Sequence, residues 1–193
     1  MQLSKGNKKM TNGFLIWNLP ARKTCPGCTA ICCKACYAMK AERMYPSVLP
    51  SREKNLIDSK KETFTKDMIQ LIEKQIKGFK GFNGYFRIHE SGDFYNQAYL
   101  DAWKSIAKHF PNVRFLAFTK SFDLNFKNVP KNMQIIMSIM PDTKKQPVKG
   151  FPKAFAGDCK NMGKTIDCPG SCDSCGMCWA LNELKVNVHF NMH

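Results

Sequence analysis

Two dense cysteine clusters, one near each end of the chain, constrain what this sequence can fold into more than any other feature. Cys25, Cys28, Cys32, Cys33 and Cys36 form the first, and Cys159, Cys168, Cys172, Cys175 and Cys178 the second. Thiolate is the soft ligand that zinc and iron–sulfur clusters select, so all ten are candidate metal ligands. Zinc ribbons set two Cys-x-x-Cys knuckles roughly 15–20 residues apart, whereas Cys25/Cys28 and Cys33/Cys36 are separated by only four residues. Cys172-x-x-Cys175-x-x-Cys178 puts three thiols into seven residues, a ferredoxin-like density. The spacing favours one or two clusters of the [4Fe–4S] kind, with zinc and a disulfide scaffold as the alternatives. Ten cysteines exceed the eight that two four-thiolate clusters would use. Either some are spare, or one cluster leaves an iron open.

The chain of 193 residues is long enough for one domain with a core, and 44% of it is hydrophobic. No stretch approaches the roughly 18 apolar residues that cross a bilayer, so no membrane association is expected. Residues 1–12 are polar and lysine-rich, read here as a flexible basic tail, and residues 13–193 as a single α/β iron–sulfur domain. No apolar core of a secretory signal follows Met1, which points to the cytoplasm, where metal or redox roles outrank structural disulfides. The formal net charge of +15 favours a polyanionic partner such as nucleic acid, or an anionic small molecule. A solvated lysine-rich surface is the plainer reading of the same charge.

Apolar runs and breakers divide the chain into alternating elements. Strands are expected at 13–19, 85–89, 113–118, 134–139 and 185–190, and helices at 36–44, 63–79, after Asn96 and at 179–184. Asn96 can cap the third of these, whose Tyr99, Trp103, Ile106 and Phe110 recur at helical spacing. Pro46 and Pro50 break the chain, and 140–167 shows no periodicity. Strands alternating with helices imply a mainly parallel sheet with right-handed crossovers. Five strands are too few to close an eight-stranded barrel, so an open, partial TIM-like barrel with cysteine-rich loops is expected.

In such sheets functional groups collect beyond the carboxyl ends of the strands. The first cysteine cluster follows strand one, His89-Glu90-Ser91-Gly92-Asp93 follows strand two, and Thr119 and Lys120 follow strand three. The second cluster, between strand four and the last strand, is expected on the same rim. Arg87 and His89 alternate with Phe86 and Ile88 and should share the opposite strand face. Arg87, His89, Glu90 and Asp93 are the catalytic candidates, against ordinary surface or helix-starting roles. Lys120 can meet a phosphate or carboxylate, or lie solvated. His189 and His193 are further candidate ligands, and His109 is read as structural.

Four segments carry a resemblance: Thr24 to Ala38 with its cysteines, Arg87 to Phe94, Phe118 to Ser121, and Cys175 to Trp179. From about Leu19 to the C-terminus they resemble the phage-encoded gene product 88 family, which looks like a shortened relative of radical S-adenosylmethionine proteins. The resemblance implies a phage gene acting in the host cytoplasm, a partial barrel, and iron–sulfur ligands at Cys25, Cys32 and Cys36. Cys172, Cys175 and Cys178 would be the second set, completed by Cys159 or Cys168, while Cys28 and Cys33 depart from the family pattern. Cys168-x-x-x-Cys172-x-x-Cys175 also reproduces the three-cysteine spacing of radical S-adenosylmethionine enzymes, although the first loop lacks it. By that likeness Ser91, Gly92 and Asp93, with Thr119 and Lys120, would hold S-adenosylmethionine. A reductant such as ferredoxin or flavodoxin would then be required. The expectation is an iron–sulfur protein, either a redox or radical enzyme or a non-catalytic metal-stabilised module binding nucleic acid or a protein.

Overall fold

A computed structural model describes residues 1–7, 9–11 and 13–191; His193 lies outside the described residues. The elements in order are β1 (Leu15–Trp17), α1 (Ala30–Lys34), α2 (Tyr37–Met44), α3 (Val48–Ser59), α4 (Phe64–Gly78), β2 (Tyr85–Ile88) and α5 (Gln97–His109). They continue as β3 (Arg114–Thr119), β4 (Met133–Ile139), β5 (Lys153–Ala156), β6 (Thr165–Asp167), α6 (Cys172–Cys175), a 3-10 turn (Met177–Trp179), α7 (Leu181–Leu184) and β7 (Asn187–Phe190).

The strands form one seven-stranded sheet in the order β1-β2-β3-β4-β5-β7-β6, and every neighbouring pair is parallel. The sheet is α/β and open: its two edges do not pair with each other, so there is no closed barrel. The free edge of β1 instead pairs antiparallel with the N-terminal segment through Ser4 and Ile16. That segment, read from sequence as a basic tail, also carries the buried Met10 and an α-amino group 2.8 Å from Asp58 Oδ2.

Two strands beyond the five expected arise in the 140–167 stretch. β5 and β6 are short and poor in β-branched residues, and they exist by pairing with β4 and β7 rather than by local preference. Helix α3 was also missed, because Pro50 looked like a breaker. It stands at the third residue of α3, where the backbone needs no N–H for an intrahelical bond. Asn96 caps α5 as expected, accepting from Tyr99 N at 2.9 Å.

Helices α4 and α5 cover one sheet face. Met68, Ile72, Leu100, Trp103 and Ile106 pack on Trp17, Phe86, Ile88 and Phe115 in a core with almost no exposure. The other face is the one a closed barrel would turn inward. Here Ile16, Leu116, Ile136, Ala154 and Val188 are covered by Phe14, Trp179 and Leu181. The C-terminal excursion therefore fills the space that further strands would enclose.

Candidate functional site

The loop after β1 is fastened to the next two strands before its cysteines begin. Leu19 N donates to Ser91 O at 2.9 Å, and Thr24 Oγ1 donates to Pro20 O at 2.8 Å. Gly27 then lies flat against the backbone after β3, where a Cβ would stand 2.0 Å from Lys120 O. Gly92, at φ +91°, leaves similarly little room: a Cβ there would meet Leu19 Cβ and Thr24 Oγ1 at 2.7 Å. Two close approaches thus bring the carboxyl ends of β1, β2 and β3 together. Thr29 caps α1 by accepting from Cys32 N at 3.2 Å, and Ile31 N donates to Asp142 Oδ2 at 2.9 Å, tying α1 to the loop after β4.

This arrangement holds Cys25, Cys32 and Cys36 within electrostatic range of one another, with Asp93 alongside. Burial first, and then the Asp93 carboxylate, push the Cys25 thiol up to about 12. A bound cation reverses that penalty, because it favours the thiolate. Cys28 and Cys33, both read from sequence as metal ligands, are instead joined in a disulfide with their Cα atoms 6.1 Å apart. A bridged sulfur has no thiolate to offer a metal.

The second group is Cys168, Cys172, Cys175 and Cys178. Cys168 N donates to His189 O at 2.8 Å, and Cys172 N donates to Lys9 O at 2.7 Å. Burial pushes the Cys178 thiol up to about 12; nearby Arg87 opposes the shift, and Cys168, Cys172 and Cys175 add to it. The four sulfurs therefore share one field, and Cys168 rather than Cys159 completes the set. Cys159 stands apart, its Sγ 3.5 Å from Ala156 O.

This group does not join the first on the carboxyl-end rim, as the sequence led us to expect. It lies against the inward-facing side of the sheet beside Tyr85, Phe118 and Phe190. Cys172 and Cys175 also line a small cleft with Phe14, Asn83 and Tyr85, at the amino ends of β1 and β2. The cause is the segment that follows. Trp179 stacks against Phe14 and Tyr85 at 5.5 and 5.0 Å, and burying that indole draws the preceding cysteines under the sheet. Among the described residues, no three His, Cys, Asp or Glu side chains converge closely enough to hold a single metal ion.

The catalytic candidates divide. Arg87 faces the second cysteine group, with its guanidinium 4.1 Å from the Phe118 ring centre. His89 does not share that face. Its φ of +63° ends the strand alternation and swings the ring into the helix-side core, against Phe94 and Tyr99. There Trp17 Nε1 donates to the Tyr99 hydroxyl, which meets His89 Nε2 at 2.8 Å. Burial depresses the His89 pKa to about 3, so the ring is neutral. Glu90 is partly exposed and accepts from Asn7 Nδ2 at 2.8 Å.

Asp93 is buried and fully engaged. Oδ1 accepts from Thr119 Oγ1 and Phe94 N at 2.6 and 2.7 Å, and Oδ2 from Lys120 N at 2.8 Å. Ser91 Oγ donates to Leu19 O at 2.8 Å, and Lys120 Nζ to Ser138 Oγ at 2.9 Å. In this structure Ser91, Gly92, Asp93 and Thr119 bind the loops to each other. Two contributors were missed from sequence. Asn18 Oδ1 accepts from both Glu90 N and Ser91 N at 2.9 Å, and Tyr37 donates to Glu90 O at 2.6 Å. Their only sequence signal was position, at the end of strand one and directly after Cys36.

A cavity of about 480 Å³ opens beside α1, lined by Ile31, Pro141, Gly157, Asp158, His189 and Asn191. It lies at the carboxyl ends of β4, β5 and β7. His189 is bonded through Nδ1 to Asp167 at 2.8 Å and through Nε2 to Gly157 O at 3.2 Å. Both partners are acceptors, so the imidazolium is favoured, and the Asp167 bond raises the pKa.

Among the described residues no helix is long and apolar enough to cross a membrane. No solved structure matches the chain. The Gene 88 protein of Mycobacterium phage D29 is 31% identical over 103 residues, covering 50% of this chain and 42% of that protein. The Gene 88 protein of Mycobacterium phage L5 is 32% identical over 105 residues, covering 50% and 43%. The chain thus matches well under half the length of either relative. The family described as Gene product 88 matches residues 1–158, which include the first cysteine group and Arg87 but stop short of Cys159, so the likeness does not run to the C-terminus. With most of its length inside that match, the chain belongs to the gene product 88 family.

Proposed function

We propose that this protein binds iron–sulfur clusters, one through Cys25, Cys32 and Cys36 and one through Cys168, Cys172, Cys175 and Cys178, and acts as a redox or radical-type protein. The observation that carries the reading is the sorting of the unbridged thiols into a set of three and a set of four, with Cys159 left out. Four thiols suit a complete four-iron ligand set, and three leave one iron position without a protein ligand. When bound, such a group supplies one-electron transfer. The chain's own part is to bury the sulfurs, fix their spacing through the Gly27 and Gly92 approaches, and shield them with Trp179 and Phe118.

A second reading, that S-adenosylmethionine binds at the three-thiol set, is favoured by the cavity of about 480 Å³ next to α1. Asp93 contributes there indirectly, because its oxygens already hold Thr119, Phe94 and Lys120. The basic chain also suits an acidic electron donor of the ferredoxin or flavodoxin kind, or a nucleic-acid substrate. The test is anaerobic purification or reconstitution, with iron, sulfide and zinc analysis. Iron and sulfide in comparable amounts, with visible absorption that bleaches on reduction, are expected. Cys172→Ser should lose the second cluster, and Cys159→Ser should keep both. Colourless, iron-free protein after reconstitution refutes the proposal, and stoichiometric zinc without iron replaces it with a metal-stabilised module. Incubation with S-adenosylmethionine and reductant, assayed for 5′-deoxyadenosine, separates the radical reading from an electron carrier.

A further inference from the structure

We infer that Arg87 is the charge partner of the second cysteine group, held in place to neutralise the thiolates of Cys172 and Cys178 and so to set the redox behaviour of that group. The inference rests on the iron–sulfur reading above and deepens it.

Arg87 stands mid-strand on β2, on the inward-facing side of the sheet. Its guanidinium lies over Phe118, and Nε donates to His89 O at 3.1 Å. That carbonyl is available because the backbone turn at His89 removes it from the regular strand path. Two fixed contacts therefore aim a stiff, planar cation. Its terminal nitrogens make no hydrogen bond to any described residue, and no carboxylate lies within ion-pair distance of it. The groups that share its field are Tyr37, Cys178, Cys172 and Glu90. Tyr37 donates to Glu90 O, and the Glu90 carboxylate is bonded to Asn7. Cys172 and Cys178 remain.

An enclosed guanidinium without a counter-anion carries a desolvation cost that stacking on one ring only partly offsets. Neutral thiols do not remove that cost; thiolates do. Cys172 and Cys178 share a buried cluster with Phe118, so the cation and the sulfurs meet in one apolar pocket of low dielectric. In that setting a fixed positive charge favours the more negative state of whatever the thiolates hold. It makes reduction easier.

The test uses the full-length reconstituted protein and its Arg87→Gln and Arg87→Lys variants, with surface Lys66→Gln as the control. Midpoint potentials are read by electron paramagnetic resonance during a redox titration. The second group's signal is identified as the one absent from Cys175→Ser. Arg87→Gln is expected to move that signal to a more negative potential and leave the other signal in place, while Arg87→Lys and Lys66→Gln stay near the wild type. An unchanged potential in an Arg87→Gln protein that retains iron overturns the inference and leaves the iron–sulfur reading intact. Iron-free wild type overturns both. If Arg87→Gln fails to hold iron, recovery of iron and potential by Arg87→Lys supports the charge role. Failure of Lys to recover them reduces Arg87 to packing and sinks the inference.

Discussion

Replacing Gly27 by alanine tests the close approach on which the first cysteine group depends. The new methyl carbon would stand 2.0 Å from Lys120 O, well inside the 3.4 Å at which ordinary contact begins. The obstacle is a backbone carbonyl, and Lys120 is itself held by its N–H bond to Asp93. Neither side can yield by rotating a side chain, so the Cys25–Cys28 turn must lift by about an ångström. Overpacking of this kind costs about 1–3 kcal/mol. For a chain of this length each kcal/mol lowers the melting temperature by about 2–4 °C, which gives a drop of roughly 2–12 °C. Gly78 is the matched control: it ends α4, and nothing lies within 4 Å of its added Cβ. Gly78→Ala should be neutral or stabilise by about 0.5–1 kcal/mol. Both variants would be melted by far-ultraviolet circular dichroism and assayed for bound iron. A Gly27→Ala protein that melts with the wild type would refute the claim that this turn is wedged against β3.

Asp93→Asn should cost about 1–3 kcal/mol in urea denaturation. Either orientation of the amide turns an NH₂ toward a donor that Asp93 now satisfies, Lys120 N in one case and Thr119 Oγ1 with Phe94 N in the other. An unchanged midpoint would show that the loops after β2 and β3 do not rely on this carboxylate. His89 predicts an acid lability. Its folded pKa of about 3 lies below the ordinary value of 6.5, so the unfolded chain binds the extra proton between those values. Its part of the stability is complete above pH 6.5 and falls as the pH drops toward 3, by about 2–3 kcal/mol at pH 4.5. Urea midpoints at pH 7 and 4.5 should therefore diverge more in the wild type than in His89→Gln. Equal divergence would place the titrating group elsewhere.

Periodicity made much of the architecture legible. Parallel strands alternating with helices, the α4 and α5 stripes and the Asn96 cap all follow from residue spacing, since one buried face imposes its period on the side chains that fill it. β5, β6 and α3 escaped for opposite reasons. The strands exist through their neighbours, and the helix tolerates a proline that reads as a stop only when its place in the first turn is unknown.

The composition and spacing of the cysteines marked the chain for thiol chemistry, because that property belongs to the residues wherever the backbone carries them. Which sulfurs meet is a matter of three dimensions. The Cys28–Cys33 bridge, the joining of Cys168 to Cys172, Cys175 and Cys178, and the isolation of Cys159 depend on loops crossing more than a hundred residues of sequence. The same holds for His89, which one left-handed backbone angle moves from one sheet face to the other, leaving Arg87 alone beside the second sulfur group. Strand alternation is a local rule. Closing a turn against a neighbouring loop overrides it, and that neighbour is settled only when the whole chain packs.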